Sequence, residues 1–107
     1  MSGLVALFHL DGRPAEPSLL EQLSAPLRHR AVHGQKLWTC GPIGLAFQHF
    51  RTTPESVCEV QPFGCPPEMA ICFDGRLDNR EELLQSLPRE MLHGGLRAPD
   101  AAFALAA

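Results

Sequence analysis

Phe73-Asp74-Gly75-Arg76-Leu77-Asp78-Asn79-Arg80-Glu81-Glu82-Leu83 carries the clearest local reading in the chain. It closes an apolar run, Met69 to Phe73, of strand length, and Asp74-Gly75 has the turn chemistry that ends such a strand. Asp78 stands three residues ahead of Glu81, the spacing of a capping box. Leu83, Leu84 and Leu87 then share one face of a helix that Pro88 stops. The predicted unit is strand, turn, helix. Upstream, Thr52 to Pro67 holds Pro54, Pro62, Pro66, Pro67 and Gly64 and reads as a loop without regular structure. Lys36 to Cys40 and Ile43 to Phe50 are β-compatible runs on either side of Gly41-Pro42, so a hairpin is expected there. Ser18 and Glu21 form another capping box, and Leu19, Leu20, Leu23 and Leu27 share a helical face that Pro26 should end or kink. Leu4-Val5-Ala6-Leu7-Phe8 is continuously apolar, which predicts a first strand covered on both faces, followed by the Asp11-Gly12 turn. Downstream, after a Gly94-Gly95 break, Pro99 and Asp100 open an Ala-rich helix over Ala101 to Ala107. Antiparallel strands interspersed with helices make the expected class α+β.

At 107 residues, 45% of them hydrophobic, the chain is sized for one small domain with one core and has an ordinary globular composition. Nine Lys and Arg against twelve Asp and Glu give a net charge of -3. No basic face is clustered as phosphate neutralisation requires, so nucleic acid is not an expected partner. Leu4 to Leu10 has no basic segment before it and no small-residue cleavage site after it, and so reads as a strand rather than a signal peptide. No apolar stretch has the length of a membrane span, and the cytoplasm is the expected location. Cys40, Cys58, Cys65 and Cys72 contain no C-x-x-C pair and fit none of the common zinc spacings, so neither a metal nor a cofactor is expected. They read as free thiols, with Cys72 a buried small hydrophobe, although Cys58 and Cys65 share a loop and are near enough in sequence to meet.

Several segments, taken in order, resemble the type 2 glutamine amidotransferase (glutaminase) domain at the head of asparagine-synthetase-like proteins. They are Met1 to Phe8, His29-Arg30, Gly44-Leu45-Ala46, Arg51-Thr52-Thr53-Pro54-Glu55-Ser56, Gln61-Pro62 and Phe73 to Leu83. The resemblance covers essentially residues 1–107 and corresponds to the N-terminal half of that domain. It implies a partial N-terminal-nucleophile (Ntn) hydrolase fold, an αββα sandwich with antiparallel sheets. The remaining strands, and an ATP-dependent synthetase domain, would be the partners. The Ser-Gly-Gly-x-Asp-Ser pyrophosphate loop of the synthetase is not in this sequence, and the chain ends inside an expected helix, so it reads as a truncated domain. Unfinished sheets should make the isolated chain aggregate or seek a partner that supplies the missing strands.

The resemblance also assigns a site. In the family, residue 2 supplies both the nucleophile and, once Met1 is removed, an α-amine of pKa about 7.7 to 8.0 that can act as base. The glutaminases carry cysteine there, whereas this chain carries Ser2, whose hydroxyl must lose its proton during attack. His49 stands where an Arg clamps the glutamine carboxylate, without the permanent charge or bidentate fork of that Arg. Asp74-Gly75-Arg76 stands at the Asn-Gly-Glu turn. It replaces an oxyanion amide donor with an acceptor and reverses a charge that faces the substrate ammonium, while leaving the Gly75 N–H as a possible oxyanion donor. Asp100 matches the Asp that holds the substrate amine. These departures match the subset lacking the N-terminal cysteine, exemplified by β-lactam synthetases and lasso-peptide cyclases, whose front domain is a scaffold. The leading expectation is therefore a degenerate, non-hydrolytic glutaminase-like domain. The alternatives are an active Ntn-type glutamine amidohydrolase using Ser2, and a truncated product without a function of its own.

Overall fold

The computed structural model describes residues 1–64, 69–92 and 95–107. Strands β1 (Gly3–Phe8), β2 (Gln35–Cys40) and β3 (Ile43–Gln48) form an antiparallel sheet in the order β1-β3-β2. The expected hairpin is present: Cys40 pairs with Ile43 across Gly41-Pro42, and Gly41 takes the left-handed φ of 54° that a two-residue turn demands. On its other side β3 pairs with β1, from Gly3 opposite Gln48 to Phe8 opposite Ile43. Helix α1 (Pro17–Ser24) covers one face of this sheet. A side chain at Gly44 would place its Cβ 2.7 Å from Leu20 Cδ1 and 3.2 Å from the Ala15 Cβ, so glycine lets the helix lie directly on the central strand. Leu20 is fully buried at that contact, and the Ser24 hydroxyl is satisfied by the Leu20 carbonyl at 2.7 Å.

Beyond the sheet, β4 (Phe63–Gly64) and β5 (Ala70–Ile71) form a short antiparallel pair. Helices α2 (Arg80–Ser86) and α3 (Asp100–Ala106) build a second core around the fully buried Phe103. Leu92, Ala98 and Ala102 are buried with it, and Leu77, Leu83, Leu84 and Leu87 pack from the α2 side. Antiparallel sheets with separately packed helices are an α+β fold, as the sequence predicts. Among the described residues no helix is long and apolar enough to cross a membrane.

Several local expectations are corrected. β1 is covered on one face only: Leu4 is 45% exposed and Phe8 60%, because α1 lies against the opposite side of the pleat. Neither expected capping box forms. α1 starts one residue before Ser18, with Pro17 pre-setting its first turn after Glu16. α2 starts after Asn79 without a side-chain cap, while Asp78 turns to the Arg76 guanidinium at 2.6 Å. Leu23 is exposed although Leu19, Leu20 and Leu27 are at least half-buried, since the helix ends at Ser24 and passes into a 3-10 turn, Ala25–Arg30, containing Pro26. The Met69–Phe73 strand shortens to Ala70–Ile71, and the loop before it contains a 3-10 turn, Pro54–Ser56. Cys65, Pro66 and Pro67 of that loop, and Gly94 of the glycine break, lie outside the described residues.

Gly44→Val should lower the unfolding free energy by about 1–3 kcal/mol through overpacking against Leu20, read as a lower urea midpoint with an unchanged slope.

Candidate functional site

The end of β3 and the chain beyond it build a cavity of about 280 Å³ against the Phe73–Arg76 turn and the start of α3. Ser2, Phe47, Phe50, Thr53, Glu55 and Glu59 line one side, and Phe73, Asp74, Gly75, Arg76, Pro99 and Asp100 the other. Five of the six residues the sequence singles out, Ser2, Asp74, Gly75, Arg76 and Asp100, thus meet at one cavity although they span the chain. His49 does not join them.

Ser2 sits where β1 and β3 run past their last pair. Its hydroxyl accepts from the Phe50 N–H at 3.0 Å and lies 3.4 Å from the Phe50 carbonyl, to which it donates. The oxygen is therefore held by backbone. The wall next to it is shaped by a reciprocal cap: Thr53 Oγ1 accepts from the Ser56 N–H at 3.3 Å and Ser56 Oγ from the Thr53 N–H at 3.1 Å. This capping box lies in the stretch that the prolines mark as irregular, with Ser56 in the place usually held by Glu or Gln.

Asp100 faces the cavity but is already engaged. Its carboxylate pairs with the Arg80 guanidinium and accepts from the Leu77 N–H at 3.2 Å. Arg80 also reaches the Ala98 carbonyl and lies over the Phe103 ring, 4.7 Å from its centroid. One cation thus ties the first residue of α2 to the first turn of α3. Arg76 extends into solvent beside Asp78, both side chains more than three-quarters exposed. Four carboxylates, Glu55, Glu59, Asp74 and Asp100, border the cavity, and burial raises the affinity of Glu59 for its proton above the ordinary range.

His49 is 4% exposed and lies behind the cavity wall. Its Nε2 accepts from the Gln61 N–H at 2.9 Å, which fixes the neutral tautomer with the proton on Nδ1, and its ring meets Phe47 edge-on at 5.0 Å. Burial, reinforced by the nearby Arg51 charge, holds its pKa below the ordinary 6.5. A ring held in this way offers no positive charge to a carboxylate. His33 is structural too, its Nδ1 accepting from the Arg51 N–H at 3.0 Å, and His29 Nδ1 is satisfied by the Pro26 carbonyl at 3.1 Å.

Gln61 is the residue whose importance the sequence conceals. Fully buried, its side chain donates to the Phe73 carbonyl at 2.9 Å and to Glu59 Oε1 at 2.8 Å, and accepts from the Phe73 N–H at 2.6 Å. It acts as a strand partner for Phe73 and so positions the Asp74-Gly75-Arg76 turn. No periodicity marks a glutamine in a proline-rich loop for this task. Among the described residues no cluster of His, Cys, Asp or Glu has the arrangement of a metal site. Cys40 and Cys58 are exposed thiols, while burial pushes the Cys72 thiol up to about 11.

These features define a small α+β protein with an acid-rimmed, phenylalanine-lined cavity. Comparison with protein-family models, with curated proteins and with solved structures returned no match.

Two outcomes follow from this geometry. The unfolded chain takes up a proton on His49 near pH 6.5 and the folded chain only at lower pH, so the unfolded state binds more protons in that interval. Stability should fall as the pH drops below 6.5, and His49→Gln should flatten that slope in urea titrations between pH 7 and 5. Brief alkylation of the native protein with iodoacetamide, mapped by mass spectrometry, should modify Cys40 and Cys58 well before Cys72.

Proposed function

We propose that this chain is a degenerate glutaminase-like domain of the Ntn αββα type, acting as a scaffold for an asparagine-synthetase-like, ATP-dependent amide ligase. The observation that carries the reading is the convergence of Ser2, Asp74, Gly75, Arg76 and Asp100 on one cavity, since these positions were assigned to a glutamine site by resemblance alone. The same geometry supports loss of hydrolysis. The Ser2 hydroxyl is held by the Phe50 backbone, Asp100 is neutralised by Arg80, and His49 is turned away from the cavity toward Gln61. The Ser2 hydroxyl and the Asp100 and His49 side chains are thus engaged within the protein. A serine so placed has neither the partial thiolate character of cysteine nor a side-chain base at hand.

In this reading the partners are the remaining strands of the sandwich and a synthetase domain, and the exposed side of the β1-β3-β2 sheet is the surface such strands would cover. A cytoplasmic setting belongs to the same proposal, consistent with the free thiols Cys40, Cys58 and Cys72.

Incubated with glutamine, the protein should release no more ammonia than Ser2→Ala does, in a coupled glutamate dehydrogenase assay. Ammonia release that depends on Ser2, with Ser2→Ala still folded by circular dichroism, would instead establish an amidohydrolase and overturn the scaffold reading.

A further inference from the structure

The outer edge of β1 has properties that the glutaminase-like reading does not use. β1 is an edge strand of the three-stranded sheet, and its six residues, Gly3-Leu4-Val5-Ala6-Leu7-Phe8, contain no charge, no proline and no bulge. These are the devices by which edge strands ordinarily avoid further pairing. The other edge strand, β2, does carry a charge, at Lys36. The direction of the free hydrogen-bonding groups follows from the ladder. His9 donates to the Pro42 carbonyl at 3.0 Å, and antiparallel strands alternate hydrogen-bonded and non-bonded pairs. The odd residues of β1 therefore exchange bonds with β3, and the amides and carbonyls of Leu4, Ala6 and Phe8 point away from the sheet. The side chains of the same three residues are the exposed ones, on the face that α1 does not cover.

We propose that a second copy of this chain pairs with that edge, β1 against β1 in antiparallel fashion about a twofold axis, to give a closed dimer with one continuous six-stranded sheet. The strand is most fully self-complementary in one register. With Ala6 opposite Ala6 on the axis, the outward amides and carbonyls of Leu4, Ala6 and Phe8 meet their counterparts as hydrogen-bonded pairs. Leu4 then lies opposite Phe8 on the open face, and Val5 opposite Leu7 on the other, so every cross-strand pair within the strand is apolar. The smallest side chain falls at the axis, where a side chain meets its own copy. A one-residue slip would set the outward groups of one copy against the inward, already bonded groups of the other, and a two-residue slip keeps the faces but forms fewer hydrogen-bonded pairs within the strand, which favours this register. The pairing is closed because each copy uses the β1 edge of this sheet, leaving Lys36 on the outermost strands.

The test is the mass in solution of the 107-residue chain by light scattering and sedimentation equilibrium, for wild type, Ala6→Lys and Ala6→Glu. Position 6 is exposed, and circular dichroism and Trp38 fluorescence report whether each variant keeps its fold. Wild type should run at twice the 11.7 kDa chain mass. Each charged variant should weaken the association by about tenfold or more, because the two like charges oppose each other on the axis. Mixing the two variants should restore a mixed dimer, as expected when position 6 of one copy faces position 6 of the other. A wild-type monomer across the micromolar range, open-ended aggregates instead of a dimer, or a variant mixture that stays apart overturns the proposal. Should Ala6→Lys fail to fold, Ala6→Pro decides in its place, since it removes only the outward N–H. The glutaminase assay reads a separate property and leaves this outcome unaffected.

Discussion

The Gln61 carboxamide joins the two halves of this protein. On one side its backbone N–H reaches His49 at the end of the three-stranded sheet. On the other its side chain pairs with both backbone groups of Phe73, where the second half begins. A buried amide in such a place is stabilising only when fully satisfied, and Glu59 Oε1 accepts the second of its N–H bonds. The position of the Asp74-Gly75-Arg76 turn beside the cavity depends on this bracket.

A second tie works at the opposite wall. Arg80 holds the Asp100 carboxylate and the Ala98 carbonyl while lying over Phe103, so the starts of α2 and α3 are bound together above the smaller core. Breaking one partner of a largely buried ion pair leaves the other charge unsatisfied, which is why such pairs are structurally consequential even when their net contribution is small. In this protein the pair also settles what Asp100 can do, because a carboxylate neutralised from within is a poor anchor for an external ammonium. The cavity is thus bordered by a carboxylate already paired within the protein.

The three-stranded sheet is asymmetric in a way that carries into association. α1 fills one face through the Gly44 contact, and the opposite face keeps Leu4, Phe8 and Ile43 partly in water. An apolar face beside an uncharged edge is an arrangement soluble domains generally complete with further strands, whether from a partner or from a second copy. Strands packing face to face would cover the open face, whereas a strand extending the sheet would pair with the β1 edge.

Local chemistry along the chain was enough for the elements whose causes are local. Gly41-Pro42 between two β-compatible runs specified the hairpin, Pro99 and Asp100 specified the start of α3, and the polar Asp74 to Asn79 link between strand and helix was legible from its turn residues. Resemblance, rather than periodicity, singled out Ser2, Asp74, Gly75, Arg76 and Asp100. Tertiary structure alone decided the rest. Whether β1 is covered on one face or two depends on how many layers pack against it, which an apolar run of six residues cannot encode. Whether Ser18 and Asp78 cap helices depends on Pro17 pre-setting one first turn and on Arg76 competing for the other side chain. The role of His49 was set by a partner twelve residues away in an irregular loop, and that of Asp100 by a cation twenty residues away. Hydrogen bonds and ion pairs between segments distant in sequence leave no periodic trace, because their geometry exists only once the chain has closed the loops between them.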